Sequence, residues 1–185
     1  MKHSKTIKLT LSAMFLALGF VLPFFTGQIP QIGNMLLPMH LPVLLCGLIC
    51  GWQYGLVIGL CLPLVRSMIF GMPPIFPTGI AMTFELAAYG LIVGLVYQAA
   101  RQKNTLSVYR ALIIAMIGGR IIWCIVRVLL TGVGSQAFTW HLFLEGALLT
   151  AIPGIILQLI LIPVLMAALT RSGLLPLEKA QAVKG

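Results

Sequence analysis

Acidic residues are almost missing from this chain. It has no aspartate, and its three acidic residues are all glutamate, set against twelve lysines and arginines. Charged residues of both signs make up only 8% of the 185 positions, far below the roughly one quarter found in soluble domains, which excludes a soluble globular protein. Cysteine is scarce too: Cys46, Cys50, Cys61 and Cys124 all fall within apolar runs. They read as small buried hydrophobes, and no disulfide framework is implied. The i, i+4 pair in CGLIC lacks two further ligands at suitable spacing, so no metal is expected.

Catalytic signatures are equally sparse. The phosphate-cradling pattern G-x-x-x-x-G-K-[ST] does not occur, nor do H-E-x-x-H or G-x-S-x-G. The chain is therefore not expected to be an enzyme or to carry a cofactor. No long-period repeat or low-complexity tract is present. The net charge of +9 does not point to nucleic acid, because the basic residues sit at the ends and in one short loop instead of interleaving with aromatics.

What the chain does have is long apolar runs. Apolar residues make up 60% of it and its mean hydropathy is +1.08. At about 20 residues per crossing, there is room for about six membrane helices and little else. The runs predict spans at 7–25, 40–51, 54–70, 79–98, 108–130 and 141–169, hence an all-α integral membrane bundle forming a single domain over 1–185. The second run is short for a full crossing. The sixth is long, and Pro153 and Pro163 are expected to kink it. The N-terminus, MKHSKTIK before an apolar run, reads as an uncleaved first helix because no small-residue cleavage site follows.

Lys2, Lys5 and Lys8 precede the first span, Arg101, Lys103 and Arg110 flank the loop after the fourth, and Arg171, Lys179 and Lys184 follow the sixth. With an even number of crossings, all of them lie on one side. By the positive-inside rule that side is the cytoplasm of a multi-pass plasma-membrane protein, with both termini inside. Loops near 26–39, 71–78 and 131–140 then face outward and contain no Lys or Arg. Trp52 and Tyr54 suit an interfacial turn. Glycines recurring every four positions at 47, 51, 55 and 59, and again at 90 and 94, suit close helix packing. Ala13 and Ala17 form an A-x-x-x-A pair in helix one, for which packing inside the bundle is the plain reading.

These features together resemble the substrate-binding S components of energy-coupling factor transporters. The resemblance rests on the short length, six spans, basic ends, the alanine pair, and the block LPVLLCGLICGWQYGLVIGLCLPLVRSMIFGMPP followed by FELAAYGLIVGLVY. It implies a vitamin or micronutrient site on the outer side, a membrane T component, and two cytoplasmic ATPases that supply energy. It also implies that Ala13 and Ala17 are the surface on which the T component docks.

Ionisable residues inside the spans can be placed by depth independently of that resemblance. Arg66, Glu85, Arg127 and Glu145 each fall roughly 5–10 Å below the outer ends of their spans at 1.5 Å per residue, and Arg120 lies deeper. Arg120, Trp123 and Arg127 share one face of helix five, as Met82, Glu85 and Tyr89 do on helix four. Such faces point inward, since lipid would not tolerate them. His40 and His141 open two spans, where a histidine can ligate or shuttle protons and where hydrogen bonding at the interface is the plain reading, and the outer stretches TGQIPQIGNMLLPM, with Asn34, and GMPPIFPTG are suited to covering a pocket. The expected substrate-binding set is Asn34, His40, Arg66, Glu85, Tyr89, Arg120, Trp123, Arg127, His141 and Glu145. Pairing of Arg with Glu to lock the bundle is the competing role. Three buried arginines against two glutamates favour a ligand with a carboxylate or other acidic group. Arg127 is expected to matter most, being nearest the mouth, with Arg120 at the floor. The functional rivals are a stand-alone proton-coupled carrier titrating Glu85 and Glu145, and an intramembrane enzyme built on His40 or His141, for which no paired nucleophile or metal set is present.

Overall fold

A computed structural model describes residues 5–25, 37–132 and 151–172 of the chain. In lipid every backbone polar group must be satisfied within the protein, so apolar runs of this length fold as helices. Among the described residues these are α1 (Lys5–Phe25), α2 (His40–Ile49), α3 (Trp52–Phe70), α4 (Ile80–Ala99), α5 (Thr105–Thr131) and α6 (Ile152–Arg171), with a π-helical turn at Ile75–Gly79 leading into α4. The architecture is the all-helical one expected. Every helix except α2 is long and apolar enough to cross a membrane. Helix α2, at 10 residues, is only about 15 Å long, roughly half the hydrocarbon thickness.

Two boundaries differ from the sequence reading. The break between the second and third apolar runs falls at Cys50 and Gly51, where Gly51 takes φ 107°, a conformation open to glycine at little cost. Trp52 and Tyr54 consequently belong to the first turn of α3 instead of to an interfacial turn. In the sixth run, the described helix begins at Ile152 and Pro153 stands in its first turn. The missing proline N–H has no intrahelical acceptor there, so Pro153 suits the first turn of the described helix. Pro163 remains inside the helix. Residues 141–150, the first part of the expected sixth span, lie outside the described residues.

Contacting pairs give the helix directions. Ser12 meets Cys46 while Phe24 meets Phe70, so α1 runs alongside α3 and opposite to α2. Glu85 meets Arg120, and a β-carbon at Gly118 would meet Ile92, so α4 and α5 are antiparallel. Every helix contributes to the core: Leu44 on α2, Leu62 on α3, Leu86 on α4, Leu112 on α5 and Ile162 on α6 are all fully buried, with Phe15 of α1 nearly so. Their outward neighbours, such as Met68, Leu129 and Ile160, remain exposed, the surface a bilayer would cover.

Helices α2, α3 and α4 meet through glycine. A β-carbon at Gly55 would lie 2.7 Å from the Gly90 carbonyl oxygen, and one at Gly47 would lie equally close to the same atom. A side chain at Gly90 would run into the Gly55 backbone. The four-residue glycine spacing thus lets three backbones touch where lipid supplies no hydrophobic drive between helices. The contact of Gly47 with Gly90 lies toward the end of α2, and with the two helices side by side the start of α2 places His40 against Glu85, in the second turn of α4.

Candidate functional site

Glu85 is the sixth residue of α4 and is only 1% exposed. A carboxylate so deep in an apolar bundle survives only if other groups replace its water. Three do so. Arg120 Nη1 of α5 lies 3.2 Å from Glu85 Oε1, the Tyr89 hydroxyl donates to the same oxygen at 3.1 Å from one turn further along α4, and His40 Nε2 at the start of α2 stands 3.7 Å away. The His40 and Tyr89 rings also pack together, with centroids 5.2 Å apart. Three helices therefore converge on one carboxylate.

Local sequence explains the approach. Gly119, immediately before Arg120, faces the Tyr89 ring so closely that any side chain there would enter it. The GGR triplet thus lets α5 press against Tyr89 and sets Arg120 beside Glu85. His40 is held by its own backbone: its N–H donates to the Leu37 carbonyl at 3.0 Å, and Leu37 takes the left-handed conformation with φ 48°. Gln158 of α6, 2% exposed, donates to that same carbonyl at 3.4 Å. A glutamine amid leucine and isoleucine is the signal the sequence carries for this tie.

The cluster is not internally complete. Among the described residues, Arg120 Nε and Nη2 and both ring nitrogens of His40 are buried without a hydrogen-bond partner. The Nε–Nη2 edge of a guanidinium is a planar two-donor fork that matches a carboxylate or similar oxygen pair. Since Nη1 already serves Glu85, Arg120 is anchored on one edge and open on another.

The other expected residues fall elsewhere. Arg66 is buried but turns toward α1, where its Nη1 donates to the Phe20 carbonyl at 3.2 Å and its guanidinium lies 5.7 Å and 5.5 Å from the Phe24 and Phe70 ring centroids. Arg127 donates to Thr78 Oγ1 in the π-helical turn at 2.9 Å and lies 5.8 Å from the Trp123 ring centroid. It stands two turns above Arg120 on the same helix, about 10 Å nearer the end of α5. The sequence reading ranked Arg127 above Arg120 and placed Arg120 deeper than Glu85, whereas the antiparallel packing of α4 and α5 sets Arg120 level with Glu85. Thr78 had not been singled out. Asn34, His141 and Glu145 lie outside the described residues. No group of three metal-ligating side chains occurs among the described residues.

Ala13 and Ala17 sit on the outward face of α1, both exposed, in a stripe with Leu9 and Val21. Packing inside the bundle, the plain reading of the pair, does not account for them.

Compared with known protein families, residues 7–166 match the family described as ECF transporter, substrate-specific component. No curated protein and no solved structure is a match. The family match spans most of the chain, and the protein belongs to the substrate-specific components of ECF transporters, a transport family and not a class of enzymes.

Proposed function

We propose that this substrate-specific component captures a vitamin or related micronutrient bearing a carboxylate or other acidic oxygen pair, in a pocket floored by His40, Glu85, Tyr89 and Arg120. The observation that carries this reading is the buried, unpartnered Nε–Nη2 edge of Arg120, next to the ion pair that anchors it. Burying donors without partners costs about 1–3 kcal/mol for each group, a cost that a ligand supplying the missing acceptors removes. Arg127 and Trp123, nearer the end of α5, line the route toward this floor and add cation and ring surface for the rest of the ligand. Asn34, His141 and Glu145 are proposed to close the pocket from the outer side.

Membership of the family supports a reading of how the ligand is delivered. The ligand enters from outside, and a membrane T component with two ATPases drives its release inward. The exposed Ala13 and Ala17 support docking of a partner helix on α1, since small residues let backbones approach closely in lipid. The concentration of basic residues at one end of the bundle supports a cytoplasmic location for that end and for both termini in the plasma membrane.

The reading is tested by purifying the protein from cells grown in rich medium and identifying the co-purified small molecule by mass spectrometry. A carboxylate-bearing nutrient retained by the parent protein and lost from Arg120→Gln is the expected result. A ligand retained equally by both would remove Arg120 from the site.

A further inference from the structure

Far from the Glu85 cluster, where Ala100–Asn104 turn between α4 and α5, the helices part around a pocket of about 660 Å³. Its walls are apolar, formed by Val96 and Ala99 of α4 and by Leu106 and Ile114 of α5, and Arg101 and Arg110 stand in its lining. Leu106, Arg110 and Ile114 are spaced i, i+4, i+8 and so share one face of α5. The loop that closes the pocket is held by its own bonds: Asn104 caps α5 by accepting from the Ser107 N–H at 2.9 Å, and the Ser107 hydroxyl donates to the Gln102 carbonyl. The two arginines differ from this loop. Both are exposed, and neither makes a hydrogen bond or ion pair to any described residue. Among the described residues, no acidic side chain lines the pocket.

The arrangement is ordered by depth. Arg101 lies in the loop, Arg110 about 8 Å into α5, and Ile114 about 6 Å beyond it, at 1.5 Å per residue. Two cationic forks therefore stand at the level of lipid phosphates, and the apolar walls continue from them toward the hydrocarbon. A free anion would use the arginines and leave the apolar groove empty. A neutral lipid would use the groove and leave the arginines unmatched. A zwitterionic headgroup brings its own cation against Arg101, Arg110 and the adjoining Lys103. We propose that this pocket is a binding site for one anionic phospholipid, its phosphate held by Arg101 and Arg110 and an acyl chain lying between Val96 and Ile114. Basic pockets between membrane helices at the headgroup level suit this class of ligand. The site is separate from the substrate pocket and does not depend on the reading given for it.

The test uses the full chain purified in mild detergent and native mass spectrometry with phosphatidylglycerol or phosphatidylcholine of identical acyl chains. The parent protein is expected to retain one phosphatidylglycerol with at least about tenfold preference, given the gain from each arginine near an anionic headgroup. Arg101→Gln with Arg110→Gln should abolish the preference while leaving the helical circular dichroism unchanged, because both side chains are exposed. Lys5→Gln with Lys8→Gln, which removes equal charge elsewhere, should preserve it. Filling the groove with Ala99→Trp should release the lipid although both arginines remain. Millimolar inorganic phosphate should fail to displace it. Equal retention of phosphatidylcholine, an unchanged preference in the double arginine variant, or displacement by inorganic phosphate would each overturn the proposal. So would release of the lipid by a soluble acidic peptide, which would mark the pocket as a protein contact.

Discussion

Arg120 Nη1 stands 3.2 Å from Glu85 Oε1 while Nε and Nη2 of the same guanidinium, also buried, have no partner among the described residues. One arginine thus stabilises a buried carboxylate and keeps two donors free beside it. The pairing and ligand-binding roles that the sequence set against each other are compatible in a single side chain, and they can be separated by experiment.

Replacing Arg120 with Gln strands Glu85 and is expected to destabilise the bundle by about 3–5 kcal/mol, read as a large drop in melting temperature in detergent. Adding Glu85→Gln removes the stranded charge and should restore most of that stability. Ligand affinity should stay at least about tenfold weaker in the double variant, since the open fork is still missing. Recovery of both stability and affinity, measured by calorimetry against the co-purified ligand, would reduce Arg120 to a structural pair.

For Arg127 the effects should be smaller. Its bond to Thr78 and its stacking on Trp123 join α5 to the π-helical turn. Arg127→Gln should cost about 1 kcal/mol of stability and weaken ligand binding less than Arg120→Gln does. Thr78→Val should reproduce the stability loss, because it removes the same hydrogen bond from the other side. A larger affinity loss for Arg127→Gln than for Arg120→Gln would move the site's centre toward the mouth.

Glycine substitutions should divide by what stands opposite. At Gly90 a new methyl meets the rigid backbone of Gly55, whereas at Gly118 it meets the Ile92 Cδ1, the end of a flexible side chain, at 2.6 Å. Gly90→Ala is therefore expected to cost 1–3 kcal/mol, about the range for overpacking, or to prevent folding. Gly118→Ala should be nearly neutral, since it also gains helix propensity. Thermal melting of the two variants side by side checks the contrast.

On α1, Ala13→Trp or Ala17→Trp should leave ligand affinity and melting temperature nearly unchanged, because both positions are exposed. Co-purification with a membrane T component should be lost. Equal loss of ligand binding would show that the stripe serves the bundle's own packing.

The length and apolarity of the runs were sufficient to read the helices, because a lipid-embedded backbone has few ways to satisfy its own polar groups. Glu85, Tyr89 and Arg120 are likewise legible in the sequence as members of helix faces too polar to meet lipid, and His40 as a histidine that opens a span. Their grouping was a different matter. Counting 1.5 Å per residue gives depth from each helix end, but it does not say which helices are neighbours, how each is rotated, or how far one has slid along another. Those relations depend on contacts distant in sequence: Gly55 against Gly90, Gly119 against Tyr89, Gln158 against Leu37. They turn Arg66 toward α1, leave Arg127 with Thr78, and bring Arg120 level with Glu85. The sequence ranks the arginines only by depth, with Arg127 first, because composition and depth describe each helix alone. The tertiary structure distinguishes them because backbone contact at glycine fixes the register between helices, and register decides which arginine meets the one described buried carboxylate.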